Sequence, residues 1–310
     1  MTRTKGIPKG LGDILLFIAA IAWGGGFVGV SRALDTLSPF YMIAIRFGIA
    51  SILMIIIFLK KFISIKKRDV LPGLILGTFL FLGFAGQTLG ACFISVGKLS
   101  FLTALNVIIV PFIAFFIFKE QIKKYNLVAA FIAIIGFGFL NLNEEVGLGI
   151  GIGELLAILG AVFFALHISV IGQYARKIDG IVLAILQTIT CCILGLICAL
   201  AFEQPPKEIT MEMTIPIVYL GVFSSFLAFL CQIIGQKYTS SSRAAIILCM
   251  ESVFGVGLSA LILKEVLTIQ MMIGALLILI AVILAEYMHA RSEACLSQSH
   301  ASKREEQEMS

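Results

Sequence analysis

Charged side chains are scarce in this sequence: 13% of its 310 residues are Asp, Glu, Lys or Arg, about half the share of an average soluble domain. So few charges cannot cover a water-exposed surface when 60% of the residues are hydrophobic and the mean hydropathy is +1.07. A soluble globular protein is excluded, and the composition is that of an all-α polytopic membrane protein. Histidine is nearly absent, with 3 residues, and tryptophan occurs once. Of the 7 cysteines, Cys92, Cys191, Cys192, Cys198, Cys231 and Cys249 fall inside apolar runs. None has the spacing of a metal site or disulfide framework, so they read as small apolar side chains packing between helices. There is no HExxH, no carboxylate pair suited to intramembrane proteolysis and no convergent Ser/His set. A membrane-embedded enzyme therefore lacks its usual residues, and no cofactor, metal or nucleic acid is implied. Gly24, Gly25 and Gly26 are not a nucleotide loop, because they lie in an apolar run without the Lys-Ser/Thr ending.

Long apolar runs are what the chain has instead. About 20 apolar residues cross a bilayer as a helix. Such runs lie near 13–33, 40–60, 71–95, 100–118, 125–142, 152–173, 181–202, 214–236, 244–263 and 268–288. Ten transmembrane helices are expected, with a cytoplasmic segment over 1–10 and a disordered polar tail over 290–310. The basic start MTRTKGIPKG resembles a signal peptide, but the run after it is some twenty residues long, without a small-residue cleavage site. A retained first helix is expected. With the amino terminus cytoplasmic, 18 of the 23 Lys and Arg residues fall on that side, 4 on the far side and Arg46 within the membrane. Both termini are then cytoplasmic. No glycosylation sequon or organelle retention signal occurs, which leans towards a bacterial inner membrane.

The runs repeat. A shift of 141 residues lays GDILLFIAAIAW on GELLAILGAVFF and Arg46 on Gln187. A shift of 145 lays FLGFAGQTLG on FLAFLCQIIG, pairing Gln87 with Gln232, Gly90 with Gly235, Lys98 with Arg243 and Asn106 with Glu251. Residues 11–142 and 152–289 are thus two five-helix repeats. An odd number of helices turns the second upside down, and the Lys-rich KKFISIKKR matches the nearly Lys-free AFEQPPKEI, as inverted repeats require.

In this order, AIAWGGGFVGVSRAL, AIRFGIASIL, FLTALNVIIVPFIAFFIFKEQI and AAIILCMESVFGVGLSALILKEVLTIQ resemble the EamA-type branch of the drug/metabolite transporter superfamily. Two departures from its pattern are Ser252, where many members carry Pro, and Gln187, where the first half has the Arg of Arg-Phe. The resemblance implies a central cavity lined by the first four helices of each half, with the fifth and tenth peripheral. It also implies secondary transport of small metabolites, often export, and leaves the cargo unnamed.

Glu251 raises the sharpest question, because a carboxylate near the middle of a span costs about 2.5–3.5 kcal/mol on insertion scales. It is either a paired or protonated acid joining helices, or a cavity residue for an amine-bearing substrate or a coupling proton. Its repeat mate Asn106 shares those readings. Arg46 is either a snorkelling or carbonyl-binding residue or a countercharge for a substrate carboxylate. Together they suit a zwitterion such as an amino acid, although sequence cannot place them in one cavity. Trp23 is either packing or an aromatic cavity wall. His167 is a helix–helix bond or a proton relay. Gln87, Gln232 and Gln187 are interhelical bonds or substrate ligands. Lys98 and Arg243 anchor helix ends or guard the mouths, and Lys119-Glu120 and Lys264-Glu265 favour the start of a following helix.

The expected function is secondary transport of a small metabolite by alternating access, more in the direction of export. An amino acid or related amine or zwitterion, or a drug-like compound, is the expected cargo. A membrane-embedded enzyme and a sensor or channel using the same cavity are the competing classes. The bilayer is the surrounding partner, and a homodimer stays open.

Overall fold

The computed structural model describes residues 10–118, 124–140, 142–143, 147–148, 150–206, 210–239, 241–270, 272–281, 283–284, 287–288 and 291. Both expected terminal segments, apart from Gly10 and Arg291, and the pair Lys119-Glu120 lie outside them. The first half comprises α1 (Leu11–Leu34), α2 (Pro39–Ile57), the short α3 (Leu59–Ile63), α4 (Lys67–Ala91), α5 (Val96–Ala104), α6 (Asn106–Phe118) and α7 (Lys124–Leu140). Two-residue strands β1 (Leu142–Asn143) and β2 (Gly147–Leu148) pair antiparallel between the halves. The second half has α8 (Ile152–Tyr174), α9 (Gly180–Phe202), α10 (Met211–Tyr219), a π-helical stretch Leu220–Leu227, α11 (Ala228–Gln236) and α12 (Ser241–Leu258). A π turn, Ser259–Leu263, follows, and then α13 (Met272–Ala281).

Seven helical segments are long and apolar enough to cross a membrane, and Leu127–Gly136, Ile247–Leu263 and Met272–Ala281 are shorter apolar helices. Local chemistry sets several boundaries. Ser95 Oγ accepts from Lys98 N at 3.4 Å, Asp179 Oδ1 from Ile181 N at 2.9 Å and Thr210 Oγ1 from Met213 N at 3.3 Å. Each satisfies a donor that the first helical turn leaves unpaired. The third expected span is α4, which ends at Ala91, short of the expected residue 95, so Cys92 is exposed at its C-cap and not packed inside a span. The physical reason is the Ser95 cap, which starts α5 and leaves a turn of a few residues between the two helices.

The halves pack mainly on each other. α4 lies along α8, α1 along α11 and α12, and α2 along α9. Glycines permit the closest crossings, and they come in repeat-related pairs. A Cβ on Gly90 would meet Gly153 O at 3.0 Å, and a Cβ on Gly235 would meet Gly12 O at 2.9 Å. Gly12 and Gly153 are related by the 141-residue shift and Gly90 and Gly235 by the 145-residue shift, so one contact has been built twice. Small residues let helix backbones approach where lipid supplies no hydrophobic drive.

Ionic ties close the ends of the bundle. Glu203, past the end of α9, accepts from Phe40 N and Tyr41 N of α2, each at 2.9 Å. Lys61 Nζ lies 2.6 Å from Asp179 Oδ2, and Lys98 Nζ lies 2.5 Å from Glu154 Oε1. Lys98 is therefore tied between halves. Glu265 does place its carboxylate at a helix start, but that of α5, where it accepts from Gly97 N at 3.0 Å.

Candidate functional site

The interior is not uniformly apolar. Between the halves lies a cavity that, together with the open space at its mouth, amounts to about 530 Å³ between atoms. Its first-half wall includes Trp23, Arg46, Phe84, Gln87, Thr103 and Asn106, and its second-half wall Phe164, His167, Ser224, Phe229, Gln232 and Glu251. Seven of the eight residues singled out from sequence thus share one cavity. Gln187 is not in its wall. It stands behind His167, whose Nε2 is 2.9 Å from Gln187 Oε1. The cavity wall draws on α1, α2, α4, α5, α6, α8, the π stretch, α11 and α12, but α9 supplies no wall residue. Lining by four helices from each half is corrected accordingly, because Gln187 of α9 turns its amide oxygen to His167 and stays outside the wall. α7 and α13 also contribute nothing to the wall among the described residues.

Arg46 is 1% exposed, and its guanidinium is held by hydroxyls. Nε donates to Ser225 Oγ at 2.8 Å and Nη2 to Ser224 Oγ at 2.9 Å. Its carbon centre sits 4.5 Å from the Phe84 ring centroid, a cation–π geometry. The reading of Arg46 as snorkelling to the surface is overturned by this burial. No ion pair among the described residues includes it. The serines lie in the π-helical stretch, where the i→i+5 pattern loosens the backbone ladder, and Ser224 O accepts from Trp23 Nε1 at 2.8 Å. The π stretch therefore positions both Arg46 and Trp23, and nothing in the sequence marked it.

Glu251 is 7% exposed on the opposite half. Its carboxyl takes part in no ion pair among the described residues, and nothing joins it to His167. The neighbouring Ser252 donates to Ser100 O at 2.7 Å, tying α12 to α5. The glycine run of α1 makes room on three sides: Gly24 lies against Phe254 and Glu251 O, Gly25 against Tyr219 and Gly26 against Ser224 Oγ. Asn106 begins α6 directly after the helix breaks at Leu105. Discontinuous helices beside a cavity recur at transporter sites. Asn106 Oδ1 and Gln232 Oε1 are buried without a hydrogen-bond partner. Gln87 Nε2 instead donates to Thr103 Oγ1 at 3.1 Å.

The aromatic walls are doubled as the glycine contacts are. Trp23 packs on Phe229 at 5.0 Å between centroids, and Phe164 packs on Phe84 at 5.1 Å. Positions 23 and 164 are repeat mates, as are 84 and 229. The two phenylalanines were missed as candidates, yet both lie inside the matched strings FLGFAGQTLG and FLAFLCQIIG, where the alignment held the signal.

Comparison with known proteins adds a pattern of relatives. Residues 10–142 and 151–287 each match the family described as "EamA-like transporter family". An uncharacterized transporter of Archaeoglobus fulgidus is 33% identical over 280 residues, covering 90% of this chain and 87% of the relative. The uncharacterized transporter YoaV of Bacillus subtilis is 23% identical over 277 residues, covering 87% and 95%. A solved crystal structure superposes with a TM-score of 0.70 at 18% identity, over 89% of this chain and 98% of its own. That last likeness concerns the fold alone.

Proposed function

Because this chain belongs to the EamA-like transporter family, and is thus a multi-pass membrane transporter, we propose that it carries a small metabolite across the cytoplasmic membrane by alternating access, more in the direction of export. The ten apolar segments form two inverted five-helix repeats, spanning 11–142 and 152–289, with both termini in the cytoplasm. The loop charges and the repeat-related contacts at Gly90–Gly153 and Gly12–Gly235 support that arrangement. Near-equal halves make inward-open and outward-open states close in energy, so one half rocks against the other around a fixed site.

One observation carries the reading. A buried guanidinium and a buried carboxyl line the same cavity from different halves, and neither belongs to any ion pair among the described residues. Unpaired ionisable groups at that depth are costly and mark transport pathways. A zwitterionic or amine-bearing cargo, an amino acid or its relative, supplies partners for one or both poles. Arg46, with the hydroxyl of Ser224, faces the anionic end, and Glu251 faces the cationic end. His167, Trp23 and Gln87 shape the wall between them.

The test compares small metabolites in the medium of cells expressing wild type or Glu251→Gln at matched protein levels. A metabolite that accumulates outside with wild type and falls at least tenfold with the variant is the expected result. Equal accumulation with both makes Glu251 structural, and no difference from empty cells removes the export direction.

A further inference from the structure

The two repeats part company at one connection. The second helix of the first half breaks at Phe58, where φ is −114° and ψ is 35°, and resumes as α3. Ala199, the mate of Phe58 under the 141-residue shift, sits inside an unbroken α9. No residue of α3 is buried, and Ile63 is 74% exposed. Exposed Leu59, Phe62 and Ile63 beside lysines are the mixture that lies at the boundary of headgroups and acyl chains. Lys60, Lys61, Lys66, Lys67 and Arg68 fall within nine residues, whereas the matching stretch of the second half holds Lys207 alone.

A segment of the other half joins this surface. Lys61 Nζ lies 2.6 Å from Asp179 Oδ2, which brings α3 against the turn between α8 and α9. Phe58 and Ile65 on one side and Ile178 on the other pack on the same apolar cluster, while Arg176 and Lys177 of that turn are exposed. The surface thus holds seven basic side chains against two carboxylates, Asp69 and Asp179, and both carboxylates have other duties. Asp179 also caps α9 through Ile181 N at 2.9 Å, and the buried Asp69 accepts from Lys66 N at 3.1 Å. Arg68 lies 3.7 Å from Asp69, yet its side chain is 76% exposed. Lys60, Lys66, Lys67, Arg176 and Lys177 belong to no ion pair among the described residues.

We infer that α3, the residues that follow it up to Arg68, and the Arg176-Lys177 turn form a binding surface for anionic phospholipid headgroups in the leaflet that this end of the bundle faces. A cluster of about 4–8 Lys and Arg residues directly beyond a transmembrane helix attracts such lipids. Lysine stems run along the membrane boundary and lift their ammonium groups to the level of the phosphates, and guanidinium groups bind phosphate oxygens in pairs. Loop charge that orients a helix during insertion needs only one loop at a time. Here Lys61 and Asp179 join two loops, one from each half, so the surface exists only in the folded protein. Neither the cargo nor the direction of transport enters into it.

Full-length protein in a nonionic detergent is mixed with phosphatidylglycerol or with phosphatidylcholine of identical acyl chains, and retained lipid is counted by mass spectrometry of the intact complex. Phosphatidylglycerol is expected to reach half-occupancy at a concentration at least about fivefold lower than phosphatidylcholine. The variants Lys60→Gln/Lys66→Gln/Lys67→Gln and Arg176→Gln/Lys177→Gln should each cut that preference to about twofold or less. Lys60→Arg/Lys66→Arg/Lys67→Arg keeps the charge and should keep the preference, so that loss in the glutamine variants is not mistaken for misfolding. Equal binding of the two lipids by wild type overturns the inference, as does a preference that survives in either glutamine variant. An equal loss in Arg32→Gln/Lys237→Gln, which removes charges outside the surface, assigns the effect to net charge and also overturns it. So does displacement of phosphatidylglycerol by equimolar glycerol phosphate, which makes the ligand a soluble anion. The readout is lipid retention, so export that fails while this preference holds removes the transport reading alone.

Discussion

Replacing Arg46 with methionine tests whether a buried charge is kept for function at the expense of stability. The substitution removes two charge-assisted hydrogen bonds, to Ser224 Oγ and Ser225 Oγ at 2.9 and 2.8 Å, worth about 1.5–3 kcal/mol each. It also removes a desolvated cation–π contact over Phe84, worth about 2 kcal/mol. Against these stands the burial of a guanidinium that is 1% exposed and belongs to no ion pair among the described residues. That penalty is several kcal/mol for one ion even after relaxation. The serines are not orphaned by the change, because helical hydroxyls turn back to a carbonyl one turn earlier. The opposing effects are of one size, so stability should change by no more than about 2 kcal/mol, or a thermal midpoint shift within about 5 °C. Export should nevertheless fall at least tenfold. The assay pairs thermal aggregation of purified protein, followed by size-exclusion chromatography, with metabolite accumulation outside cells. A midpoint lowered by more than about 10 °C would refute the reasoning and make Arg46 a structural strut. Arg46→Lys should keep the fold and lose most export, because an ammonium lacks the planar fork that reaches both hydroxyls while stacking on a ring.

The remaining expectations concern the frame around the site. Gly86→Ala places a methyl 2.7 Å from Leu156 O and 2.8 Å from Gly160 N, and backbone atoms yield little. It should cost about 1–3 kcal/mol, while Gly257→Ala, with nothing within 4 Å, should cost none, as paired thermal melts will show. At the Lys98–Glu154 pair, 19% and 8% exposed, Lys98→Met should destabilise by about 3–5 kcal/mol, because it strands a buried carboxylate. Adding Glu154→Leu should recover most of that loss in denaturation, and failure to recover would show that the charges are not coupled. Asp179 is pushed up by partial burial, but the Lys61 hydrogen bond, backbone N–H donors and the Lys61 charge outweigh this and hold it below its usual range. A depressed folded value stabilises above the ordinary carboxylate range and loses that contribution as pH falls through the lowered value. The melting temperature of Asp179→Asn should therefore decline less than that of wild type between neutral and acidic pH, and parallel curves would contradict the linkage.

Much of this protein was legible in its sequence because a bilayer admits few solutions. Backbone groups in lipid are satisfied within helices, so apolar runs of about twenty residues near 13–33 or 181–202 had one reading, and α1 and α9 lie where those runs do. The rarity of polar groups in such runs made Glu251, Asn106, His167 and Arg46 conspicuous before any coordinate was known. The repeat even paired Gly90 with Gly235, and the fold uses both for the same contact. Tertiary structure alone decided which groups meet. Hydropathy and spacing carry no information on how helices rotate about their axes, so only packing could put Arg46 and Glu251 in one cavity and turn Gln187 away from it to His167. The π stretch was invisible for a related reason. Leu220–Leu227 reads as an ordinary apolar run, and its use shows only in the tertiary hydrogen bonds of Ser224 and Ser225 to Arg46 and Trp23. Sequence thus determined that polar groups are buried in this membrane protein, and the packing of its two halves determined that they face a common space.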